Sequence, residues 1–380
     1  AIAERKAAIA KFNSENKWKK RGIATIPTKF GINFTYKTMN QGGALVHVYM
    51  DGTVLISHGG TEMGQGLHTK MIQVAAQALG CSHCLVTCME TATNTVANSS
   101  PTAASASTDL YGMAVLDACE QIMERLRPLK AEKIATGAEW NDETWKQVAG
   151  QAYFNRINLS AQGFYAVPSE RCGYDWDMKT EGGADNSRRG MPFNYFTQGV
   201  ATSEVEIDCL TGDSHLVRTD IVMDIGKSIN PALDIGQIEG AFIQGFGWCT
   251  MEDMAWGDSQ HKWIRTGQLF TKGPGTYKIP SFNDVPHDFR CHLFDTENKF
   301  CVHSSKAVGE PPFFLGSSAF FAIRDAIDAA RTERGFTEYF PLQAPASSER
   351  IRMSCADQFT ERCMLPSSGD HTQFQAKGSW

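Results

Sequence analysis

Hydrophobic and polar residues alternate most clearly over 44–50 and 53–57, on either side of Asp51-Gly52. A period of two marks a half-buried strand, and Asp-Gly supplies the positive φ that a tight hairpin turn needs. A second hairpin is predicted over 203–210 and 217–223, with Thr211-Gly212 as its turn. Helical spacing governs other stretches. Met71, Val74, Ala75 and Leu79 share one face of a helix over 69–79, which should end at Gly80. Leu110, Met113, Leu116, Ile122 and Leu126 share a face over 109–129, where Pro128 marks the expected end. Residues 1–20 read as helix, 235–251 as a Gly-rich and closely packed helix, and 313–331 as a last helix interrupted at Gly316. A short half-buried strand is expected over 85–89.

The order hairpin, helix, helix, hairpin, helix occurs roughly twice. Antiparallel hairpins packed with helices define an α+β fold rather than a doubly wound sheet. The expected division is a first subdomain at 1–165, a variable and partly mobile surface loop at 166–194, a second subdomain at 195–365 and a tail at 366–380.

Composition narrows the function classes. A chain of 380 residues can bury a large core, and 42% hydrophobic with 21% charged residues is ordinary for a globular protein. Thirty-six basic against 42 acidic residues leave a net charge of −6, with no basic footprint for nucleic acid. No apolar run reaches the length of a membrane span. Residues 1–20 lack the apolar centre of a signal peptide and read as the middle of a longer chain. Eleven cysteines form no regular framework, which fits a reducing cytoplasmic setting, with a peroxisomal one compatible. Cys81-Ser82-His83-Cys84 followed by Cys88 has the spacing of a thiolate metal site. Such a site also needs a fourth ligand and a closed loop. Ordinary thiols are the expected reading, and a thiol- or metal-binding protein is an alternative.

The most informative segment is Lys306-Ala307-Val308-Gly309-Glu310-Pro311-Pro312, followed by an apolar run. Proline suits the first turn of a helix, so Glu310 should lie at the positive end of a buried helix. There it is either a base or a cap for backbone amides. The Gly-rich turn over 59–66 reads as a tight structural turn or as an anion cradle. The small and hydroxyl residues over 102–107 precede a long helix, which they either cap or open to a bulky ligand. Taken alone, Gln237 is a buried helix amide and Phe34 a core residue.

Several of these stretches occur together and in the same order in one known family. The segment from His58 through Gly59-Gly60-Thr61-Glu62-Met63-Gly64-Gln65-Gly66 to His68 resembles the xanthine dehydrogenase family of molybdenum hydroxylases. So do Ser99-Ser100-Pro101-Thr102-Ala103-Ala104-Ser105-Ala106-Ser107 and the segments 203–212, 220–247 and 305–330. The likeness covers roughly 1–135 and 195–360 and corresponds to the C-terminal part of the molybdopterin-binding region.

The resemblance implies a molybdenum-molybdopterin cofactor and hydroxylation of purines, hypoxanthine to xanthine to urate, with water as the oxygen source. It makes Glu310 the catalytic base and sets Ala104 against the molybdenum centre. Gly64, Gln65, Gly66, Thr102, Ala103, Ser105, Ala106, Ser107 and Gln237 are then cofactor contacts, and Phe34 and Thr35 hold the purine. Gly309-Glu310-Pro311-Pro312 and Pro101-Thr102-Ala103-Ala104 resemble the purine branch more than the aldehyde oxidase branch. The family's two 2Fe-2S clusters, FAD, first molybdenum segment and NAD or oxygen as acceptor have no counterpart in this sequence. Partner segments and a homodimer are therefore implied, with an apolar face that they cover. A scaffold or assembly subunit that keeps the fold without catalysis, and an aldehyde oxidase-type hydroxylase, are the alternatives.

Overall fold

The computed structural model describes residues 2–173, 191–259 and 261–363. These form two four-stranded sheets, one ordered β4 (Val86–Cys88), β3 (Val54–His58), β2 (Gln41–Val48), β5 (Ser160–Ala166) and the other β1 (Lys19–Ile32), β6 (Tyr195–Asp208), β7 (Ser214–Asp224), β8 (Asp288–Phe294). In the first, β2 (Gln41–Val48) and β3 (Val54–His58) pair antiparallel across the Asp51-Gly52 turn, as the alternation predicts. Helix α2 (Leu67–Leu79) then crosses back, and β4 (Val86–Cys88) lies parallel to β3. In the second, β6 (Tyr195–Asp208) and β7 (Ser214–Asp224) form the other predicted hairpin. Helix α5 (Pro231–Thr250) crosses back, and β8 (Asp288–Phe294) lies parallel to β7. The fold is α+β, but each sheet is mixed rather than purely antiparallel. A helix long enough to span the sheet returns the chain to the end from which it left, which makes the next strand parallel.

The repeat extends further in space than along the chain. Helix α3 (Ser107–Ala135) packs on β2 and β5 (Ser160–Ala166), and α6 (Ser317–Glu333) packs on β6 and β1 (Lys19–Ile32). β5 is antiparallel to β2, and β1 is antiparallel to β6. Thus β1 holds in the second sheet the place that β5 holds in the first, although it comes from the start of the chain and crosses the expected division at 165. Both contacts use glycine. A Cβ on Gly163 would stand 1.9 Å from the Ala114 carbonyl oxygen, and one on Gly22 would stand 2.1 Å from that of Ala322.

Several predicted boundaries move. Helix α1 (Ile2–Glu15) stops short of residue 20, because residues 19–32 pair with β6 along their whole length. The buried Lys20 ammonium closes that helix end by donating to the Asn13 and Asn16 carbonyls at 2.6 and 2.5 Å. Helix α3 runs through Pro128 instead of ending there. Pro128 sits on the exposed side, while buried Leu126 and Leu129 hold the helix against the core. Helix α4 (Asp142–Phe154) and strand β5 were not predicted. An Asn141–Thr144 capping box starts α4, and its buried Trp145 donates to the Gly52 carbonyl at 2.7 Å, locking it onto the first hairpin turn. Of the expected loop and tail, residues 174–190 and 366–380 lie outside the described residues.

Each sheet has its own core. Ile56, Met71, Leu79, Ile122 and Trp145 centre the first, and Ile207, Ile221, Phe242, Leu315 and Ile323 the second. No helix among the described residues is long and apolar enough to cross a membrane.

Candidate active site

Between the two cores lies a cleft of about 220 Å³. Its walls come from the Gly-rich turn, the 102–108 segment, α5 and the irregular segment 306–310. Gln65, Thr102, Ala103, Ser105, Ser107, Gln237 and Glu310 all line it. Ala104 lies between two of them, and Gly64 and Gly66 flank Gln65. Ala106 is fully buried under the loop, against Leu110, and Phe34 packs on the same small cluster. Phe34 and the exposed Thr35 stand outside the residues lining the cleft. Asn40 clamps the Phe34 backbone, accepting its N–H at 2.9 Å and donating to its carbonyl at 2.8 Å.

Glu310 precedes a 3₁₀ helix, Pro311–Gly316, that leads into α6, and its carboxylate makes no capping hydrogen bond to it. That short helix is pressed on α5 where Gly245 and Gly316 meet, and a Cβ on Gly245 would stand 1.9 Å from the Phe313 carbonyl oxygen. Close packing thus explains Gly245 and Gly247 of α5, as the sequence suggests, whereas Gly236 and Gly240 meet nothing within 4 Å. Ser105 Oγ accepts the Glu310 N–H at 2.7 Å. The Glu310 carboxylate sits at an exposed mouth but among crowding neighbours. Desolvation pushes its pKa above the ordinary glutamate range, against hydrogen bonds from the Ser105 hydroxyl and the Ala104 N–H.

Ala104 and Ser105 both have positive φ, at 54° and 52°. Two successive non-glycine residues in the left-handed region store strain of about 1–3 kcal/mol each. That twist turns the Ala104 N–H and the Ser105 side chain towards Glu310. Ala106, the N-cap of α3, has no polar side chain to cap with, and the Thr102 and Ser105 hydroxyls bind backbone N–H groups outside this helix. Thr102 accepts the Thr61 N–H at 2.8 Å and joins this loop to the Gly-rich turn.

The Gly-rich turn already contains an anion. Glu62 accepts the N–H groups of Gly64, Gly66 and His68 at 2.9, 3.0 and 2.9 Å. Burial raises its pKa, but these bonds outweigh it and hold the carboxylate below its ordinary range. The turn's amides are thus directed at its own side chain, and what Gly64 and Gly66 contribute is conformation, with φ of 100° and 78°. Gln65 stiffens the same turn, accepting from the Met63 N–H and donating to the Thr61 carbonyl. Glu62→Ala is expected to strip three amides of their acceptor and to lower stability by about 1–2 kcal/mol, given the partial solvent access. Because the carboxylate's pKa is lowered on folding, its contribution is present above the unfolded glutamate pKa and lost as pH falls through the folded one. Denaturation midpoints of parent and variant between neutral and acid pH would show the gap closing.

Charged groups under the cleft escaped the sequence reading. Lys70 on α2 is buried and donates to Asp234 on α5 at 2.6 Å; Ser228 donates to the same carboxylate at 2.5 Å. Lys306 donates to Asp224 at 2.5 Å. Both lysines line the cleft. Lys70 lies beside Leu67, Met71 and Val74 on the buried side of its helix, and a charge there needs a partner. That misplaced charge was the available signal.

The alternative of a metal site at Cys81, His83, Cys84 and Cys88 does not assemble among the described residues. Among the described residues, the group close enough to share an ion is His58, His68 and Cys88, with ligand atoms within 4.8 Å of one another. His58 Nδ1 accepts the Gly60 N–H at 3.0 Å, so its proton resides on Nε2, which faces His68 Nδ1 at 2.8 Å. A metal on Nε2 would force the proton onto Nδ1, against the Gly60 N–H. A ligating histidine normally donates from its other nitrogen, so the pair is held as a hydrogen bond between the buried His58 and the half-buried His68. Burial, then the His68 neighbour, pushes the His58 pKa down to about 4 and keeps it neutral.

The cleft thus lies between two related α+β units and is lined by small residues and side-chain amides with one inward carboxylate. The chain belongs to the molybdopterin cofactor-binding domain family, whose model matches residues 1–286. Its relatives include xanthine dehydrogenases. It is 56% identical over 360 residues to the rice xanthine dehydrogenase, covering 94% of this chain and 25% of that protein. It is 54% identical over 360 residues to the chicken xanthine dehydrogenase/oxidase, with the same coverage of 94% and 25%. The chain thus spans about a quarter of the length of these curated relatives. Quinoline 2-oxidoreductase from Pseudomonas putida 86 shares the fold with a TM-score of 0.73 at 21% identity, over 93% of this chain and 44% of that one. Carbon monoxide dehydrogenase from Oligotropha carboxidovorans does so with a TM-score of 0.72 at 19% identity, over 93% and 42%.

The residues present fit such a cofactor. Gln237 turns an amide into the cleft with no hydrogen-bond partner among the described residues, and an amide can both donate to and accept from a pterin. Gly309 leaves room opposite Ser105, where a Cβ would stand 3.0 Å from its Oγ.

Proposed function

We propose that this chain is the C-terminal part of the molybdopterin-binding region of a xanthine dehydrogenase-type enzyme that hydroxylates purines with oxygen drawn from water. The observation that carries this reading is the Glu310 carboxylate, which points into the cleft, caps no helix and is held by Ser105 and Ala104. The relatives' printed names, xanthine dehydrogenase from plants, insects, slime mould and vertebrates, support the substrate class.

In this reading Gln65, Gln237, Thr102 and the 103–107 backbone, Ala104 included, would hold the molybdenum-molybdopterin cofactor. When bound, the molybdenum group supplies the redox capacity and the Lewis acidity. Glu310 takes up the proton released as water's oxygen is transferred to the ring. Its raised pKa makes it a better proton acceptor, and Ser105 keeps it in line. Phe34 and Thr35 become purine contacts once the part of the pocket supplied by the rest of the polypeptide closes over them. That remainder holds the two 2Fe-2S clusters, FAD and the site for NAD or oxygen. The enzyme is a cytoplasmic homodimer, in keeping with the family.

The test is isotopic. The longer protein, supplied with hypoxanthine in ¹⁸O-labelled water, should contain molybdenum at about one atom per chain and place the label in xanthine and urate. Label from ¹⁸O₂ instead, or purine turnover without molybdenum, would overturn the proposal.

A further inference from the structure

A buried polar chain links the two segments that meet at Glu310, and none of the expected site residues belongs to it. Tyr195, the first residue of β6, donates its hydroxyl to Asp109 Oδ2 at 2.7 Å and accepts the Ala307 N–H at 2.8 Å. Thr197, two residues along the same strand, donates to the Ala307 carbonyl at 3.1 Å. The Ala307 peptide is thus gripped at both its polar atoms, three residues before Glu310. All four residues are buried, Thr197 completely. Asp109 stands in the first turn of α3, four residues after Ser105, the partner of Glu310. One phenol hydroxyl therefore ties the Ser105 segment to the Glu310 segment.

Stability alone is a weak reason for such a chain. Burying a carboxylate and a phenol together recovers little more than the desolvation it costs, and apolar residues would fill the space as well. What the hydroxyl adds is register, because its donor and acceptor each admit one partner at one place. Asp109 is faced by Tyr195 from β6, by Cys301 from the segment before Ala307, and by Lys70 from α2. Burial pushes its carboxyl up to about 6, and those three groups pull it back. On the cleft side the charged neighbours are Lys70 and Lys306, each paired with its own aspartate.

We propose that Tyr195, anchored by Asp109 and assisted by Thr197, is a positioning residue that sets the distance between Glu310 and Ser105. The proposal rests on the reading of Glu310 as the base.

The variants are made in the longer protein that carries this chain. Tyr195→Phe should retain molybdenum and leave KM for the purine nearly unchanged. It should lower kcat by about ten- to a hundredfold, the scale of a misplacement near 1 Å. As Glu310 loses the Ser105 and Ala104 donors, the acid limb of kcat should move to higher pH. Asp109→Leu should reproduce this pattern. Asp109→Asn keeps a carbonyl that accepts from Tyr195, so it should restore kcat and the acid limb. A merely structural role would make both Asp109 variants fail together, with no movement of the limb, and would overturn the proposal. Unchanged kcat and limb in Tyr195→Phe, beside an inactive Glu310→Gln, would overturn the positioning role alone. Full activity in Glu310→Gln would overturn the base itself. Should Tyr195→Phe not fold, Thr197→Val releases the Ala307 carbonyl and must give the same fall in kcat at constant KM, or the proposal is wrong.

Discussion

Glu310→Gln in the longer protein is expected to lower kcat by about 10²–10⁴-fold, the usual reach of one general base, while the molybdenum content stays at its parent value. The amide matches the carboxylate in size and can still accept from the Ser105 hydroxyl and the Ala104 N–H. The cleft should therefore keep its shape and its cofactor. What the variant lacks is a group able to take a proton. The pH dependence sharpens this. A base works only when deprotonated, and desolvation raises the pKa of Glu310 above the ordinary glutamate range. Activity of the parent should therefore fall as pH drops through a limb displaced towards neutrality. Ser105→Ala removes one donor to the ionised form and should displace that limb further upward. A Glu310→Gln enzyme with near-normal turnover, or a parent whose acid limb lies at or below the ordinary glutamate range, would end the assignment of Glu310 as the base.

How much of this could be read beforehand depends on where each interaction is encoded. The two hairpins and α2 were legible, because alternation, helical spacing, Asp51-Gly52 and Gly80 are all local signals. Helix α4 was also encoded locally, through Asn141, Thr144 and the spacing of Trp145, Val148, Ala149 and Ala152, but it was passed over. Strands β1 and β5 are different. Residues 19–32 contain four basic residues, Pro27 and two glycines, and look like no strand until β6 supplies their partner. Pro27 is tolerated because β1 is an edge strand. Of the cleft, the segments carrying Gln65, Ser105, Gln237 and Glu310 were legible through the family likeness. Which atoms those side chains bind was not. The Gly-rich turn was open to reading as an anion cradle, and Glu62 fills it. The hydroxyls before α3 were open to reading as caps, and Ser105 instead meets a residue 205 positions away. Lys70 on the apolar face of its helix signals that a partner is needed, but the partner's identity, like the Tyr195 chain, was invisible for the same reason, since each is set by the packing of two cores.

The other large effect concerns the two glycines where strand and helix touch. Gly163→Ala and Gly22→Ala should each destabilise the protein by about 3 kcal/mol, the upper end of overpacking penalties. The added Cβ would lie 1.9 or 2.1 Å from a helix carbonyl oxygen, and the next nearest atom is also backbone, the N of Ala118 or of Ala326. No side chain can turn aside, so α3 or α6 must lift from its sheet and every contact along it loosens. Gly240→Ala provides the opposite sign. It lies inside α5 with nothing within 4 Å of a Cβ, so alanine should add about 0.5–1 kcal/mol by helix propensity. Denaturation midpoints of the three variants would separate the explanations. If all three shift alike, the change reports the unfolded chain and the close approach is unimportant. If Gly163→Ala and Gly22→Ala fall while Gly240→Ala rises, the two contacts are the same structural device. Gly163→Ala should then weaken the packing of α3 on β5, and Gly22→Ala the packing of α6 on β1. Only the second should also lower turnover at temperatures where both variants remain folded, because α6 continues directly from the short helix that Glu310 precedes.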